Sequence, residues 1–149
     1  MLGDVYRITD EEGRKVVGYL YSENCSCVIQ KNKEIRIFRE RGVKDLYHLL
    51  KEESGLLKEA FVVDKVVGKA AAALMILGGV KEVYAGVISQ PACQLLSRAS
   101  IPTVYALEVP HIINRTQTDW CPLEKRCSDA ETAEECLPII EDFIQSLPK

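Results

Sequence analysis

The sequence predicts an α/β domain in which helices pack on a mixed central sheet. Past residue 79 the chain alternates between apolar strand-like segments and helical segments, in the order strand, helix, strand. The joining loops are only a few residues long, which is typical of layered α/β domains with mostly parallel central strands. A predicted β-hairpin earlier in the chain makes the sheet mixed. The 149 residues suit a single domain that spans 1–149.

The first third of the chain is predicted to form a helix, the hairpin and a second helix. Thr9 and Glu12 form a capping box ahead of apolar residues at helical spacing. The turn over 31–33 contains an asparagine, which tolerates the left-handed conformation that such turns often need. The elements that follow the first helix are a strand over 25–30, a strand over 34–40 and a helix over 44–51.

The chain is organised around a predicted central helix that begins at Asp64 and ends at the glycine pair 78–79. The alanine-rich run over 70–74 has high helix propensity, and a helix that is apolar nearly all round belongs inside a protein. Asp64 is interpreted as the N-cap, because its carboxylate accepts from the first N–H groups of a helix. Lys65 and Lys69 then share one face near the helix N-terminus, where cations oppose the helix dipole. Because cations at a helix N-terminus are unfavourable, their presence in an otherwise regular helix predicts a functional site.

The second half of the chain supplies further strands and helices. A strand over 80–88 leads into a helix over 92–99 that begins with Ser89 and a proline, which is tolerated in a first turn. The segments that follow are a strand over 101–107, a short strand over 109–113 and a polar loop over 114–119.

Two helices close the predicted fold. Cys121 is interpreted as the cap of a helix that has Pro122 as its first residue and Glu124 as its third. The last helix carries its apolar residues between 133 and 147 on one stripe. Pro138 either kinks this helix or marks its start.

Composition excludes several classes of function. A net charge of −3 leaves no broad basic surface, so no nucleic-acid partner is expected. No apolar run reaches the roughly 18 residues that cross a bilayer, so no membrane partner is expected. Because the first residues do not resemble a signal peptide, we predict a cytoplasmic protein with reduced thiols.

The spacing of cysteine and histidine predicts no metal and no other cofactor. Cys25 and Cys27 share one face of a strand, which suits core packing equally well. The other cysteines have no C-x-x-C spacing, and His48 and His111 lie far apart in the sequence. No glycine-rich phosphate loop is present either.

The order helix, hairpin, helix, strand, helix, strand resembles the cytidine-deaminase-like fold, a three-layer α/β/α sandwich. In that superfamily the zinc-binding motifs His/Cys-x-Glu and Pro-Cys-x-x-Cys lie at the N-termini of two helices that follow successive strands. The matching positions here read Val-Gly-Lys over 67–69 and Ser-Gln-Pro-Ala over 89–92. Every zinc ligand and the proton-shuttling glutamate are absent, so the resemblance implies the fold without zinc-dependent deamination.

Three segments together resemble a small family of bacterial and archaeal proteins of unknown function within that superfamily. The segments are 64–71, the Ser89-x-x-Ala92 that replaces the cysteines, and Asn114-Arg115 followed by Cys121-Pro122-x-Glu124. The resemblance covers residues 10 to 147. It implies a fold and a homo-oligomer, and it implies no activity.

Two residues are candidates for a catalytic role. Lys69 occupies the position that is catalytic in the wider fold, and its amine would act as a base or nucleophile. A cysteine at a helix N-terminus has its thiolate stabilised by the helix dipole, which makes Cys121 a candidate nucleophile beside Arg115. The alternatives are structural. Lys69 would pair with Asp64 or Glu59 or extend to water, and Cys121 would be a buried core cysteine.

Six further residues are candidates for ligand binding. They are Asp64, Lys65, Ser89, Asn114, Arg115 and Glu124. The lysines lie above a helix N-terminus, where a phosphate or carboxylate binds readily, and arginine offers a planar fork for such groups. The alternatives are an N-cap for Ser89, a capping-box carboxylate on its own helix for Glu124, and a loop-stabilising pair for Asn114-Arg115.

Two hypotheses about function follow. The first is a metal-free site for a small anionic, nucleotide-like metabolite, with or without turnover, at the carboxyl ends of the strands. The second is a non-catalytic binding or regulatory protein that retained only the scaffold, since a fold does not determine a function.

Overall fold

The computed structural model describes residues 11–39, 43–114 and 116–147, and the capping box predicted at Thr9 lies outside them. Within this part of the chain there are seven helices and a five-stranded sheet. The helices are α1 (Glu11–Ser22), α2 (Lys44–Glu52), α3 (Ser54–Leu57), α4 (Lys69–Gly78), α5 (Gln90–Arg98), α6 (Pro122–Cys127) and α7 (Ala133–Ser146). The strands are β1 (Cys27–Lys31), β2 (Glu34–Phe38), β3 (Phe61–Val67), β4 (Glu82–Ser89) and β5 (Thr103–Val109).

The sheet has the strand order β2-β1-β3-β4-β5. Strands β3, β4 and β5 are parallel, whereas β1 is antiparallel to both β2 and β3. Helix α4 connects β3 to β4, and α5 connects β4 to β5. The predicted α/β class and the mixed sheet are therefore confirmed. None of the helices in the described ranges is long and apolar enough to cross a membrane.

The sheet separates two apolar cores. Val28 and Val63 pack with residues of α1, such as Leu20. Their neighbours Ile29 and Val62 belong to a larger core that contains the buried residues of α2 to α7. Because successive residues of a strand point to opposite faces, α1 covers one face of the sheet and the other helices cover the opposite face.

The central helix is shorter than the sequence predicts. Its first residue is Lys69 and its N-cap is Gly68, while 61–67 form the central strand β3. The predicted end is confirmed, since Gly79 follows α4 with a left-handed φ of 77° that favours glycine. Residues 70–75 are all buried, as expected for a helix that is apolar nearly all round.

Two interpretations of the lysine-rich segment are consequently wrong. Asp64 is not a helix cap but a residue of β3, and Lys65 also lies in that strand. Lys65 and Lys69 therefore do not share a helix face. The valines over 62–67 are β-branched and fit a strand that is paired on both sides by β1 and β4. This pairing outweighs the local signal of an aspartate ahead of an alanine run.

Two smaller differences concern the second half of the chain. Strand β5 extends to Val109, and the short strand predicted over 109–113 is replaced by a single bridge between Ile113 and Trp120. Pro138 lies inside α7, so it does not mark the start of the last helix. That helix begins instead after Thr132, whose side chain accepts a hydrogen bond from the Glu135 N–H at 3.1 Å.

Candidate functional site

Two helices begin side by side at the carboxyl ends of parallel strands. Val67 of β3 is the direct neighbour of Ile88 of β4, so the caps that follow them, Gly68 and Ser89, lie close together. The Ser89 hydroxyl accepts from the Ala92 N–H at 3.3 Å, which confirms Ser89 as an N-cap. The N–H groups of both first turns point out of the helices toward the same region.

The side chain of Glu124 fills the space between these two helix starts. Its Oε1 atom accepts from the Lys69 N–H at 2.8 Å and from the Ser89 hydroxyl at 3.2 Å. Its Oε2 atom accepts from the Ile112 N–H at 2.6 Å. Only 3% of Glu124 is exposed. We call these three donors, on Lys69, Ser89 and Ile112, the carboxylate site.

Among the residues that the structure describes, no cationic side chain contacts the Glu124 carboxylate, and three hydrogen-bond donors satisfy it instead. Hydrogen bonds to an ionised group are worth about 1.5–3 kcal/mol each, and Glu124 accepts three of them. The N-terminal dipole of α4 adds attraction, because Glu124 contacts the first N–H of that helix. Gly68 leaves room for the carboxylate, since a Cβ there would lie 3.4 Å from Glu124 Oε1 and 3.3 Å from Ile112.

The capping-box interpretation of Glu124 is wrong. Its carboxylate reaches α4, not the start of its own helix α6. Cys121 is the N-cap residue of α6 and Pro122 follows it, as predicted, but the Cys121 side chain makes no capping hydrogen bond. The Cys121 N–H donates instead to the Ile112 carbonyl at 2.8 Å. Ile112 thus connects the cap of α6 to the carboxylate site.

The Lys69 side chain reaches the loop between α6 and α7 and is not hydrogen-bonded to the Glu124 carboxylate. Its Nζ atom donates to the Ala130 carbonyl and to the Ser128 carbonyl, the latter at 3.3 Å. The residue is 8% exposed. Both structural alternatives from the sequence are wrong, because the ammonium binds these carbonyls and pairs with neither Asp64 nor Glu59, and because the residue is too deeply buried to extend to water. It holds the loop between α6 and α7 against the start of α4.

Asp64 and Lys65 are half-buried residues of β3 and do not belong to the carboxylate site. Asp64 Oδ1 accepts from the Val66 N–H at 3.2 Å. Burial nevertheless raises the pKa of the Asp64 carboxyl to about 7. Cys27 lies opposite Asp64 on β1, and its thiol pKa is raised well above the usual value by burial first and by the Asp64 charge second.

Asn114 organises the loop ahead of α6. Its Oδ1 atom accepts from the Thr118 N–H and from the Thr116 hydroxyl, each at 3.1 Å. Asp119 joins this loop to α6 through an ion pair of 2.6 Å with Lys125, which lowers the pKa of Asp119. These contacts favour the loop-stabilising interpretation of Asn114. Arg115 lies outside the described residues.

Sequence reasoning missed two parts of this region. The Ile112 N–H is a backbone donor, so no residue type marks it in the sequence. Cys127 and Cys136 are fully buried in the larger core. Their spacing of nine in the sequence matches no metal motif, and the turn between α6 and α7 lets both residues reach that core.

The residues at the zinc-motif positions do not fit a metal. Val67 and Ala92 carry no ligand atom in their side chains, and the Ser89 hydroxyl is already bonded to Glu124. Across 11–39, 43–114 and 116–147, no group of three or more histidine, cysteine or acidic side chains is arranged to hold a metal ion.

Comparison with known proteins places the chain in a family. A protein-family model named TM1506, which is described as a domain of unknown function (DUF1893), matches residues 15–144. A crystal structure of a DUF1893 family protein (TM1506) from Thermotoga maritima is similar, with a TM-score of 0.82 and 23% sequence identity. That similarity covers 90% of this chain and 91% of the other, and at this identity it shows the fold. No curated protein matches. Because the family model covers most of its length, the chain belongs to the DUF1893 family.

Proposed function

We propose that this chain is a non-catalytic binding or regulatory protein, built on a cytidine-deaminase-like three-layer sandwich. In this closed-crevice proposal, the Glu124 side chain occupies the crevice between the starts of α4 and α5, where a ligand would otherwise bind. The deaminase-like part of the proposal is supported by the sheet order and by helices that begin directly after β3 and β4. Lys69 and Ser89, at the starts of these helices, occupy the two motif positions of the resemblance.

One observation carries the proposal. The Glu124 carboxylate uses the donors that an anionic ligand would need, and it is almost fully buried. The fold already holds this group in place, whereas a free anion would lose translational and rotational freedom on binding, so a free anion competes poorly with it. Ser89 is fully buried, and the Lys69 ammonium is directed to the α6–α7 loop. The assignment of Lys69 as a catalytic base is therefore not part of the proposal.

A second candidate is the binding of a small anionic metabolite. Its supporting observation is that the three donors of the carboxylate site converge on two oxygen atoms of one carboxylate. A ligand carboxylate or phosphate that displaced Glu124 would find the same donors. Cys121 is half-buried and adjacent to Pro122, so in this candidate its thiol would be the nucleophile for any turnover.

Thermal unfolding with added anions separates the two candidates. The wild type, Glu124→Ala and the exposed control Glu131→Ala are each measured with nucleotides, sugar phosphates, acetate and phosphate. We expect no increase in midpoint for the wild type or for Glu131→Ala. Acetate should raise the midpoint of Glu124→Ala alone, because it refills the emptied carboxylate site.

The opposite outcome is equally defined. A ligand at 100 times its Kd stabilises a protein by about 2.7 kcal/mol, which is readily visible as a midpoint shift. A saturable increase in the unfolding midpoint of the wild type that becomes larger in Glu124→Ala would overturn the closed-crevice proposal in favour of the metabolite site.

Cytoplasmic location, a homo-oligomeric state and the absence of nucleic-acid and membrane partners stay predictions of the sequence.

A further inference from the structure

The strand β5 forms an open edge of the sheet. Among the described residues it pairs with β4 alone, so its outer row of backbone N–H and carbonyl groups has no strand beside it. Leu107 on this strand is 54% exposed, the largest exposed fraction among the large apolar residues of the described ranges. An open edge strand that carries an exposed apolar side chain is suited to pairing with a further strand.

Two side chains of β5 point to the face of the sheet that α5 covers. Thr103 lies beside Val83 of β4, which belongs to the larger core. Glu108 lies beside Ile88, which belongs to the same core. Because neighbouring residues of paired strands point to the same face, Thr103 and Glu108 share the α5 face.

Two other side chains of β5 point to the face that α1 covers. Val104 lies beside Tyr84, which belongs to the smaller core under α1. Leu107 directly precedes Glu108, so it points to the face opposite that of Glu108. Val104 and Leu107 are three positions apart, and the alternation of faces therefore shifts once between them. Each end of the strand thus presents one side chain to each face.

A second copy of the chain matches this order. A two-fold axis perpendicular to the sheet sets β5 antiparallel to β5 of the second copy and keeps both faces of the sheet in place. When Val104 lies opposite Leu107 of the second copy, Thr103 lies opposite its Glu108. Each of these pairs then points to one face, and the exposed Leu107 packs against an apolar partner.

The charges beside β5 are also complementary under this axis. Arg98 ends α5, one short turn before β5 begins, whereas Glu108 lies near the end of β5. Both are exposed and line one groove of about 530 Å³ between the helix and the strand. Neither forms an ion pair with another described residue. Antiparallel pairing brings Glu108 to the start of β5 in the second copy, and so to its Arg98, at both ends of the interface.

We propose that the β5 edge is the interface of a symmetric homodimer. The two five-stranded sheets join into one continuous sheet, and α5 lies antiparallel to α5 of the second copy on its surface. Faces and charges match under the same axis, which favours a second copy over an extended peptide of another protein. The inference does not rest on the proposed function.

Sedimentation equilibrium of the purified chain tests the interface. Pairing of one strand and one helix per copy is a small contact, so we expect a weak dimer with a Kd of about 1–100 µM. Arg98→Glu and Glu108→Arg should each raise the Kd at least about tenfold, because each sets like charges against each other at both ends of the interface. Glu131→Arg makes the same charge change at an exposed position outside β5 and α5, and it should leave the Kd unchanged.

A mixture of the two charge variants gives the decisive result. In a heterodimer of Arg98→Glu with Glu108→Arg, opposite charges meet again at both ends, whereas an ion pair within one chain would not be restored by mixing. We expect the mixture to dimerise with a Kd within about threefold of the wild-type value. Leu107→Ser should also weaken the wild-type dimer, and it replaces a charge variant that circular dichroism shows to be unfolded. The proposal is overturned if the wild type is monomeric throughout this concentration range, if the folded variants dimerise like the wild type, or if the mixture stays monomeric.

Discussion

Glu124 and Lys69 are 55 positions apart in the chain, yet the Glu124 carboxylate accepts a 2.8 Å hydrogen bond from the Lys69 N–H. This contact joins α6 to the start of α4, the most buried helix of the larger core. The Lys69 side chain reaches the loop that follows α6. One residue therefore receives the carboxylate through its backbone and holds the neighbouring loop through its ammonium.

Removal of the Glu124 carboxylate should destabilise the protein strongly. Glu124→Ala leaves the donors of the carboxylate site without an acceptor, and each unsatisfied buried group costs about 1–3 kcal/mol. We expect a loss of at least about 3 kcal/mol in the free energy of unfolding, measured with urea. The exposed Glu131→Ala carries the same charge change and should stay within about 0.5 kcal/mol of the wild type. Equal effects of the two substitutions would contradict this account.

The two N-cap residues Ser89 and Thr132 should differ in their importance. Both accept a hydrogen bond from the N–H three residues on, but only the Ser89 hydroxyl also donates to Glu124. Thr132→Ala should cost about 1 kcal/mol, the usual loss of a cap. Ser89→Ala should cost more in wild-type protein, and this excess should vanish when Glu124 is already alanine. The free energies of unfolding are measured in urea for Thr132→Ala, Ser89→Ala, Glu124→Ala and the double variant Ser89→Ala/Glu124→Ala. If the extra cost of Ser89→Ala persists when Glu124 is alanine, it does not come from the hydrogen bond between Ser89 and Glu124.

Asp64 should make stability fall as pH rises toward neutrality. Its folded pKa of about 7 lies above the unfolded value of 3.8, so the folded state holds this proton more tightly. The stabilisation is complete below 3.8 and is lost as pH rises through 7, with a slope of at most about 1.4 kcal/mol per pH unit. Solvent around the half-buried carboxylate reduces this slope.

Asp64→Asn provides the measurement of that slope. The amide keeps an acceptor for the Val66 N–H and cannot ionise, so the difference in unfolding free energy between variant and wild type isolates Asp64. We expect this difference to increase in favour of Asn between pH 4.5 and pH 7.5 in a urea titration at each pH. Two parallel stability curves would show that the folded and unfolded pKa values of Asp64 are equal.

Gly78 should be intolerant of any side chain because α4 touches α3 at this point. A Cβ at Gly78 would lie 2.7 Å from Leu57 Cδ1 and 2.8 Å from Leu57 Cβ. Gly78→Ala should therefore cost about 1–3 kcal/mol through overpacking, despite the better helix propensity of alanine. In a Leu57→Gly background, which removes both of these atoms, the same substitution should cost less or become favourable, and a double-mutant cycle measures the difference. If Gly78→Ala costs the same free energy of unfolding in both backgrounds, the loss comes from the backbone conformation at position 78 and not from the contact with Leu57.

The sequence predicted features that depend on adjacent residues, and it missed features that depend on contacts between residues far apart in the chain. The cap at Ser89, the helix end at Gly79 and the hairpin turn over 31–33 were predicted, because each depends on the conformational preferences of a few adjacent residues. The strand β3 was missed because an aspartate ahead of an alanine-rich run matches a helix start equally well. Its true structure depends on pairing with β1 and β4 on both sides.

The sequence by itself determined the α/β class, the N-cap at Ser89 and the end of α4 at Gly79. Tertiary structure alone decided the start of α4, the donors that contact the Glu124 carboxylate and the carbonyls that bind the Lys69 ammonium. The physical reason is distance along the chain. A buried carboxylate takes whichever donors the packed helices bring to it, and no local pattern records which donors those are.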